Sequence, residues 1–415
     1  MSQLLINEYR WLIGSEAAAL LQLAQEDFAA QVSPLKIAKT LRTSTSPTRA
    51  ALVMEQAQLR IRAKSKFPLA DQMFFTKRGL EQSSGMELSI YKAKQFKNHE
   101  SVLDVCSGIG GDLLGLASRN PDNQNLITTG VDTDPVTTLF AQHNLQHQLQ
   151  ANQISHTTAN VLHCDFADVD LGDFSAVHLD PDRRKGRRTT DGRHFSPSLI
   201  DVFNRVSESQ LVSVKVAPAT PIEDSFPDQL HRQWIGDRRE CKQQILWLGS
   251  DLPPSQRSAT LVLDDGSSYH IGCEGRTDIE RVVAQTLERY LYEPHSVVLA
   301  AKLEDHLAAK HGLQRISPTT PYFVSEALVE EPLLKKFKVI ETLKLDLKSA
   351  HRFFVDNDVG EIELKQRGID NVTFERFRKL KLTGRKKATL FLTRQGASEK
   401  RRAIVAKRLP SDPSC

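Results

Sequence analysis

The run SVLDVCSGIGGD, Ser101 to Asp112, constrains the fold of this 415-residue chain more than any other stretch. Ser101-Val102-Leu103 reads as a short apolar strand with Asp104 at its carboxyl end, and the glycine turn Gly108-Ile109-Gly110-Gly111 comes next. Asp112 stands where an N-cap belongs, ahead of an apolar helix over Leu113 to Ser118. Strand, turn and helix together make a nucleotide-cofactor loop: glycine lets backbone approach a ligand closely, and a helix start offers free N–H groups. A dinucleotide fingerprint needs a third glycine two residues after Gly111, and Leu113 stands there instead. The bland alternative is a purely structural strand-to-helix turn.

The chain beyond the turn weighs against that alternative. From roughly Lys97 to Arg276 strand and helix alternate, as in a doubly wound sheet. The second strand, Leu126 to Val131, ends at Asp132, and an acid there can accept both ribose hydroxyls of an adenosine. The third strand, Thr158 to His163, ends Cys164-Asp165-Phe166. The fourth, Ser175 to Leu179, ends Asp180-Pro181-Asp182-Arg183-Arg184, and Leu211 to Val216 is the fifth. Glu240 to Leu248 and Ala259 to Leu263 read as a closing antiparallel pair, with Asp264-Asp265-Gly266 as a hairpin turn. Any one acid alone is an ordinary loop residue; Asp104, Asp132 and Asp165 at the ends of three successive strands are a set.

These phrases resemble the class I S-adenosylmethionine-dependent methyltransferases, whose first motif reads much like DVCSGIGGD. The resemblance implies an α/β fold, with a Rossmann-like seven-stranded catalytic domain, and S-adenosyl-L-methionine (AdoMet) as cofactor. AdoMet has no phosphate but carries an ammonium and a sulfonium, which suits an acid ending the first strand. The implied cofactor residues are Asp104, Gly108, Gly110, Asp112, Asp132, Asp165 and Phe166. Asp165 would lie by the adenine amino group, with Phe166 stacked on the ring or packed beside it. Amine methyltransferases of this class carry Asp/Asn-Pro-Pro-aromatic after the fourth strand. The acid and the proline carbonyl accept hydrogen bonds from the target NH2, and the aromatic stacks on the base. Here Asp180 and Pro181 match, Asp182 replaces the second proline and Arg183 replaces the aromatic. Asp180, Pro181 and Asp182 are therefore the catalytic candidates, Asp182 to orient or deprotonate the nucleophile. In-line geometry and removal of water supply most of the acceleration in such a transfer.

RRKGRRTTDGR, Arg183 to Arg193, holds six basic residues against one acid. Such a run is usually a solvated loop. Directly after the catalytic strand it can instead hold phosphates beside the transferred methyl, with Arg183, Arg184, Lys185, Arg187 and Arg188 as substrate contacts.

Charge is unevenly spread. From Glu331 onward there are 21 Lys/Arg against 11 Asp/Glu, a net +10, so the first 330 residues carry −6 of the overall +4. A basic C-terminal part favours a polyanionic partner, although a well-solvated surface looks similar. No apolar run approaches the roughly 20 residues of a membrane span, and MSQLLINEYRWLIG lacks the basic start of a signal peptide. The five cysteines form no CxxC pair, so reduced thiols, a cytoplasmic location and no zinc site are expected. His143 and His147 have metal-ligand spacing on a helix, but a solvated helix face is the simpler reading, and no metal is expected.

Five segments are expected: a helical N-terminal domain (1–97), the methyltransferase domain (98–276), a helical connector (277–330), a small α+β domain (331–395) and a basic tail (396–415). In the first, Ser15 caps one helix, and Ser46-Pro47 opens another running Ala50 to about Lys64. Phe74 to Gly85 is either a linker or a wall folded over the cofactor, with Thr76, Arg78, Gln82 and Ser83 as wall candidates. The connector runs as helix from about Asp278 to His311. The α+β domain reads strand 338–345, helix 347–355, strand 361–366, helix 374–381 and strand 388–394; Glu399 to Leu409 is a disordered extension or a short helix. Leu364 to Gly368 and Lys381 to Arg394 resemble the THUMP-like C-terminal domain of one bacterial branch of these methyltransferases, and LEQSSG, DPDRR and YLYEP resemble that branch too.

True THUMP domains bind RNA in tRNA-modifying enzymes, so the resemblance implies RNA modification, at a base nitrogen of a structured RNA such as tRNA or rRNA. Two alternatives stay open: a methyltransferase for a protein or small acidic molecule, and a non-catalytic RNA-binding protein that retains the fold. The oligomeric state is left open.

Overall fold

The structure, a computed structural model, describes residues 3–119, 125–152, 154, 157–183, 195–206, 210–221, 226–249, 257–273 and 279–410. The chain forms two compact units. The first comprises residues 1–232, 243–254 and 264–267, and the second 233–242, 255–263 and 268–415.

The first unit opens with four helices, α1 (Gln3–Ile13), α2 (Ser15–Ala29), α3 (Pro34–Ser44) and α4 (Pro47–Ala63). Ser46 caps α4 as expected, its Oγ accepting from Arg49 N at 3.3 Å with Pro47 at the first helical position. Gly14, not Ser15, occupies the N-cap position of α2. Leu12, Leu21, Ile37, Leu41 and Val53 bury against one another and against Phe74 and Phe140. Two short helices come next, α5 (Lys77–Gln82) and α6 (Met86–Ala93).

Strand and helix then alternate: β1 (Ser101–Val105), α7 (Gly111–Ala117), β2 (Leu126–Asp132), α8 (Pro135–Ala151), β3 (Thr157–His163), β4 (Ala176–Leu179), β5 (Asp182–Arg183), β6 (Phe195–Ser196), α9 (Leu199–Arg205) and β7 (Leu211–Val216). Next come β8 (His231–Gly236) and β9 (Cys241–Leu248), and the boundary between the units falls within this hairpin. The sheet of the first unit runs β9-β7-β4-β1-β2-β3. Its strands are parallel except β9, which lies antiparallel to β7 with Lys215 opposite Ile245. β1, β4 and β7 are buried along almost their whole length, as parallel strands covered on both faces must be. Parallel pairing brings the carboxyl ends of β1, β2, β3, β4 and β7 to one edge, where open α/β sheets bind ligands.

In the second unit, β10 (Arg257–Val262) and β11 (Ser268–Cys273) form a hairpin across Asp264-Asp265-Gly266, with Gly266 at φ +82°. In the stretch 259–263, expected to pair with 240–248, residues 259–262 instead belong to β10, which lies between β11 and β8, and β9 joins β7. The remainder is β12 (Tyr290–Pro294), α10 (Ser296–Ala301), α11 (Glu304–Lys310), β13 (Gln314–Ser317), β14 (Thr320–Ser325), β15 (Leu334–Lys344), α12 (Leu347–Asp356), β16 (Val359–Gln366), α13 (Asn371–Arg378), β17 (Lys386–Gln395) and β18 (Lys400–Arg408). A second sheet runs β13-β14-β12-β15-β18-β17-β16. α12 and α13 pack Phe354 and Phe377 on Leu390, Leu392, Ala403 and Val405.

Two segments differ from expectation. Tyr290–Pro294, read as helix, is a strand paired with β14 and β15, and the helices are confined to 296–301 and 304–310. The segment from Glu399, read as an extension or helix, forms β18 between β15 and β17. Gly396 at φ +71° supplies the hairpin turn ahead of it, and the four buried residues Ala403 to Ala406 hold it there.

Candidate active site

The glycine turn after β1 depends on left-handed backbone. Gly108 and Gly110 adopt φ of +56° and +91°, free for glycine, while Cys106 holds φ +57° at a cost of about 1–2 kcal/mol. α7 begins at Gly111 with Gly110 as its N-cap. Asp112 is therefore not the N-cap, because the helix starts two residues earlier than its spacing suggested; it sits in the first helical turn with its carboxylate buried. Asp132, at the end of β2, reaches the turn: its Oδ2 accepts from Gly108 N at 3.0 Å and its Oδ1 from Asp134 N at 2.9 Å. Asn144 of α8 donates to Ile109 O at 3.0 Å.

Beneath the turn lies a buried set of charges. Lys92 Nζ stands 2.5 Å from Asp112 Oδ1 and donates to Ser84 Oγ at 2.9 Å. Ser84 Oγ is 3.0 Å from Asp112 Oδ2, and His178 Nε2 is 3.3 Å from the same oxygen. The other ring nitrogen of His178 meets Ser213 Oγ at 2.5 Å. Lys215 Nζ stands 3.9 Å from Asp112 Oδ2 and 2.6 Å from Asp180 Oδ2, and donates to Gln82 O at 3.0 Å. Burial pushes the Asp112 carboxyl up, but Lys92, His178 and Lys215 outweigh it and hold the group well below the carboxylate range. Burial lowers Lys92 despite Asp112, and lowers His178 likewise despite its contact with Asp112. Burial also acts to lower Lys215, but Asp180 and Asp112 raise it above the ordinary lysine value.

Asp104 is the exception. Both carboxylate oxygens are buried without a hydrogen-bond partner. Burial first, then the neighbouring Asp112 and Asp180, raise its pKa well above the usual range.

The THUMP domain-like family matches residues 334–408. Over 360 residues the chain is 26% identical to an S-adenosylmethionine-dependent methyltransferase of Mycobacterium tuberculosis (strain CDC 1551 / Oshkosh), itself uncharacterized, covering 84% of this chain and 94% of that one. The counterpart in strain ATCC 25618 / H37Rv matches equally. The crystal structure of a protein from Porphyromonas gingivalis W83, assigned as a methyltransferase, superposes with a TM-score of 0.73 at 19% identity, covering 88% of this chain and 92% of that one. These similarities make the chain an S-adenosylmethionine-dependent methyltransferase whose residues 334–408 match the THUMP domain-like family.

The methyltransferase turn fits the cofactor on two observations: an unpartnered buried carboxylate at Asp104, and a turn whose left-handed glycines keep side chains away from the backbone. Asp165 is exposed and caps the short turn after β3, its Oδ1 accepting from Ala167 N at 2.9 Å. Phe166 is a core residue: the Arg205 guanidinium lies 4.3 Å over its ring, and Arg205 donates to Phe166 O at 2.9 Å. One face of the Phe166 ring is taken by the Arg205 guanidinium.

After β4, Asp180 N donates to Val105 O at 3.1 Å and Pro181 is buried. Asp182 and Arg183 form β5, opposite Ser196 and Phe195 of β6. Arg184, Lys185, Arg187 and Arg188 lie outside the described residues.

The segment before β1 abuts the methyltransferase turn. A Cβ built on Gly79 would lie 2.5 Å from Ile109 Cγ2, and one on Gly111 would lie 2.9 Å from Ser83 Cβ. Thr76 Oγ1 caps α5 through Gly79 N at 3.0 Å, Arg78 pairs with Gln82 at 3.1 Å, and Lys66 Nζ ties down the carbonyls of Leu80 and Ser83. Sequence reasoning missed Lys92, His178 and Lys215. The available signal was a polar residue inside an otherwise apolar strand, as in AVHL and LVSVKV.

His143 and His147 stack at 6.4 Å, and burial lowers His143 to about 4. Among the described residues no group of three or more His, Cys, Asp or Glu is arranged to hold a metal, and no helix is long and apolar enough to cross a membrane.

Proposed function

We propose that this methyltransferase transfers the methyl group of AdoMet to a base nitrogen of a structured RNA such as tRNA or rRNA. The observation that carries the reading is Asp180: a carboxylate at the sheet's ligand edge, with Oδ2 held by Lys215 at 2.6 Å. Oδ1 is left to accept a hydrogen bond from an N–H of the acceptor, with the Pro181 carbonyl as the second acceptor. Asp182, next along the chain, is the candidate to orient the nucleophile or take its proton. AdoMet supplies an electrophilic methyl on sulfur. Asp104, Gly108, Gly110, Asp112, Asp132, Asp165 and Phe166 are the residues proposed to bind or support it. Asp132 accepts from Gly108 N and Asp134 N, which fixes its carboxylate at the end of β2 where the ribose hydroxyls are proposed to bind.

The RNA acceptor is supported by charge and composition. Arg183, Arg184, Lys185, Arg187 and Arg188 come directly after the catalytic strand, and the chain from Glu331 carries +10. The domain resembling a known RNA-binding module spans 334–408 within that portion.

The test is label transfer from radiolabelled AdoMet to total RNA from cells lacking the gene, with Asp180→Ala as control. Label in RNA with wild type and none with the variant supports the reading. No label in RNA with AdoMet binding intact overturns the RNA acceptor and directs the assay to proteins and small acidic molecules.

A further inference from the structure

We propose that Lys215 is a positioning residue for Asp180 in the transfer step, an inference that rests on the reading of Asp180 given above. Lys215 is the penultimate residue of β7, on the same face as Leu211 and Ser213, and the strand's other residues, Val212, Val214 and Val216, are buried as well. A buried ammonium in such a strand is costly unless anions and carbonyls repay its lost hydration. Lysine has three donors. One goes to Asp180 Oδ2 at 2.6 Å, one to Gln82 O at 3.0 Å, and the third faces Asp112 at 3.9 Å.

The surrounding charges say which of these contacts matters. Lys215 is faced by Asp180 beyond β4, His178 on β4, Asp112 on α7, Lys92 on α6 and Asp104 on β1. Asp112 is already neutralised by Lys92 at 2.5 Å, closer than Lys215 comes. Asp180 has Lys215 as its ion-pair partner among the described residues. With 30% of its side chain exposed, the Asp180 carboxylate also meets solvent, so the pair is not a fully buried one. What the lysine adds is direction. It pins Oδ2, itself fixed by the Gln82 carbonyl of the segment before β1, and turns Oδ1 toward the acceptor. Lys215 thus acts through Asp180 and touches neither methyl donor nor acceptor.

The experiment compares wild type, Lys215→Met, Lys215→Arg and Asp180→Asn, using tritiated AdoMet and total RNA from cells lacking the gene. Lys215→Met is expected to lower kcat about tenfold to a hundredfold, with the KM and calorimetric Kd for AdoMet within about twofold. Lys215→Arg is expected to recover part of the rate. A Lys215→Met protein at wild-type kcat, one that loses AdoMet binding or its melting transition, or an arginine variant as slow as the methionine one overturns the proposal. If Asp180→Asn transfers at the wild-type rate, the reading of Asp180 fails first. Crystal structures of wild type and Lys215→Met with S-adenosylhomocysteine read the lysine's role independently of any RNA. The Asp180 carboxylate is expected to turn away in the variant, and an unmoved carboxylate overturns the proposal whatever the transfer assay gives.

Discussion

Asp132 and Gly108 are joined across the ends of two strands: the carboxylate that finishes β2 accepts the backbone N–H of the glycine turn after β1 at 3.0 Å. The same side chain accepts from Asp134 N at 2.9 Å, so one acid shapes both loops at the ligand edge. Asp132→Ala removes this clamp together with the proposed ribose contacts. It is expected to weaken AdoMet by more than about 1.4 kcal/mol, a factor of ten, in isothermal titration calorimetry. Unchanged affinity in a folded variant would sink the ribose assignment.

Lys92 and Asp112 are 2% and 7% exposed, and their pairing is a matter of stability. Lys92→Met leaves a buried carboxylate facing the His178 imidazole at 3.3 Å and a lysine at 3.9 Å. A loss of about 3–5 kcal/mol is expected in denaturant unfolding of the first unit. The double change Lys92→Met with Asp112→Leu should recover much of it, since no unpaired charge then remains buried. A single variant as stable as wild type contradicts the pairing.

Asp104 carries a pH signature of opposite sign to a salt-bridged acid. Its folded-state pKa lies above the unfolded value, so the folded state binds the extra proton. Its contribution to stability is complete below about pH 4, near the unfolded value, and is lost as pH rises toward the folded pKa. Asp104→Asn has no proton to lose. The stability difference, variant minus wild type, should therefore grow from pH 4 toward neutrality in chemical denaturation, while AdoMet affinity falls. A difference independent of pH contradicts a folded-state pKa of Asp104 raised above the unfolded one.

β18 lies between β15 and β17, with Phe391 opposite Ile404 and Leu392 opposite Ala403. Ending the chain at Ser398 exposes both neighbouring strands and should unfold the THUMP-like domain, read as loss of its protease-resistant fragment. Ending it at Pro410 should leave the fragment intact. Equal resistance in both truncations would contradict the central position.

The cofactor turn was legible because its chemistry is local. Strand, acid and glycines stand within a dozen residues, and Gly108 and Gly110 take the left-handed backbone that their identity permits. The strands ahead of Asp132 and Asp180 run through mostly buried residues, whereas β3, ahead of Asp165, has none fully buried and shows itself only by its place in the alternation of strand and helix. The ionic partners were not. Lys92 lies 20 residues before Asp112, and Lys215 lies 35 after Asp180, so only the folded sheet brings them together. Helix α7 begins two residues early because Gly110, freed by its positive φ, takes the cap that spacing had assigned to Asp112. β18 was hidden by the cations flanking Ala403 to Ala406, which made a central strand resemble a solvated tail. Tyr290–Pro294 was masked by the apolar helix SVVLAA just beyond it.

The Lys92–Asp112 contact also sets how small an autonomous catalytic piece can be. A fragment cut at the start of β1 would keep Asp112, His178 and Lys215 but discard Lys92, Ser84 and the Gln82 carbonyl. It would also discard Lys66, which pins that carbonyl's segment. The helices ahead of the first strand are therefore not an excisable appendage, and the shortest stretch able to fold alone must begin upstream of Lys66.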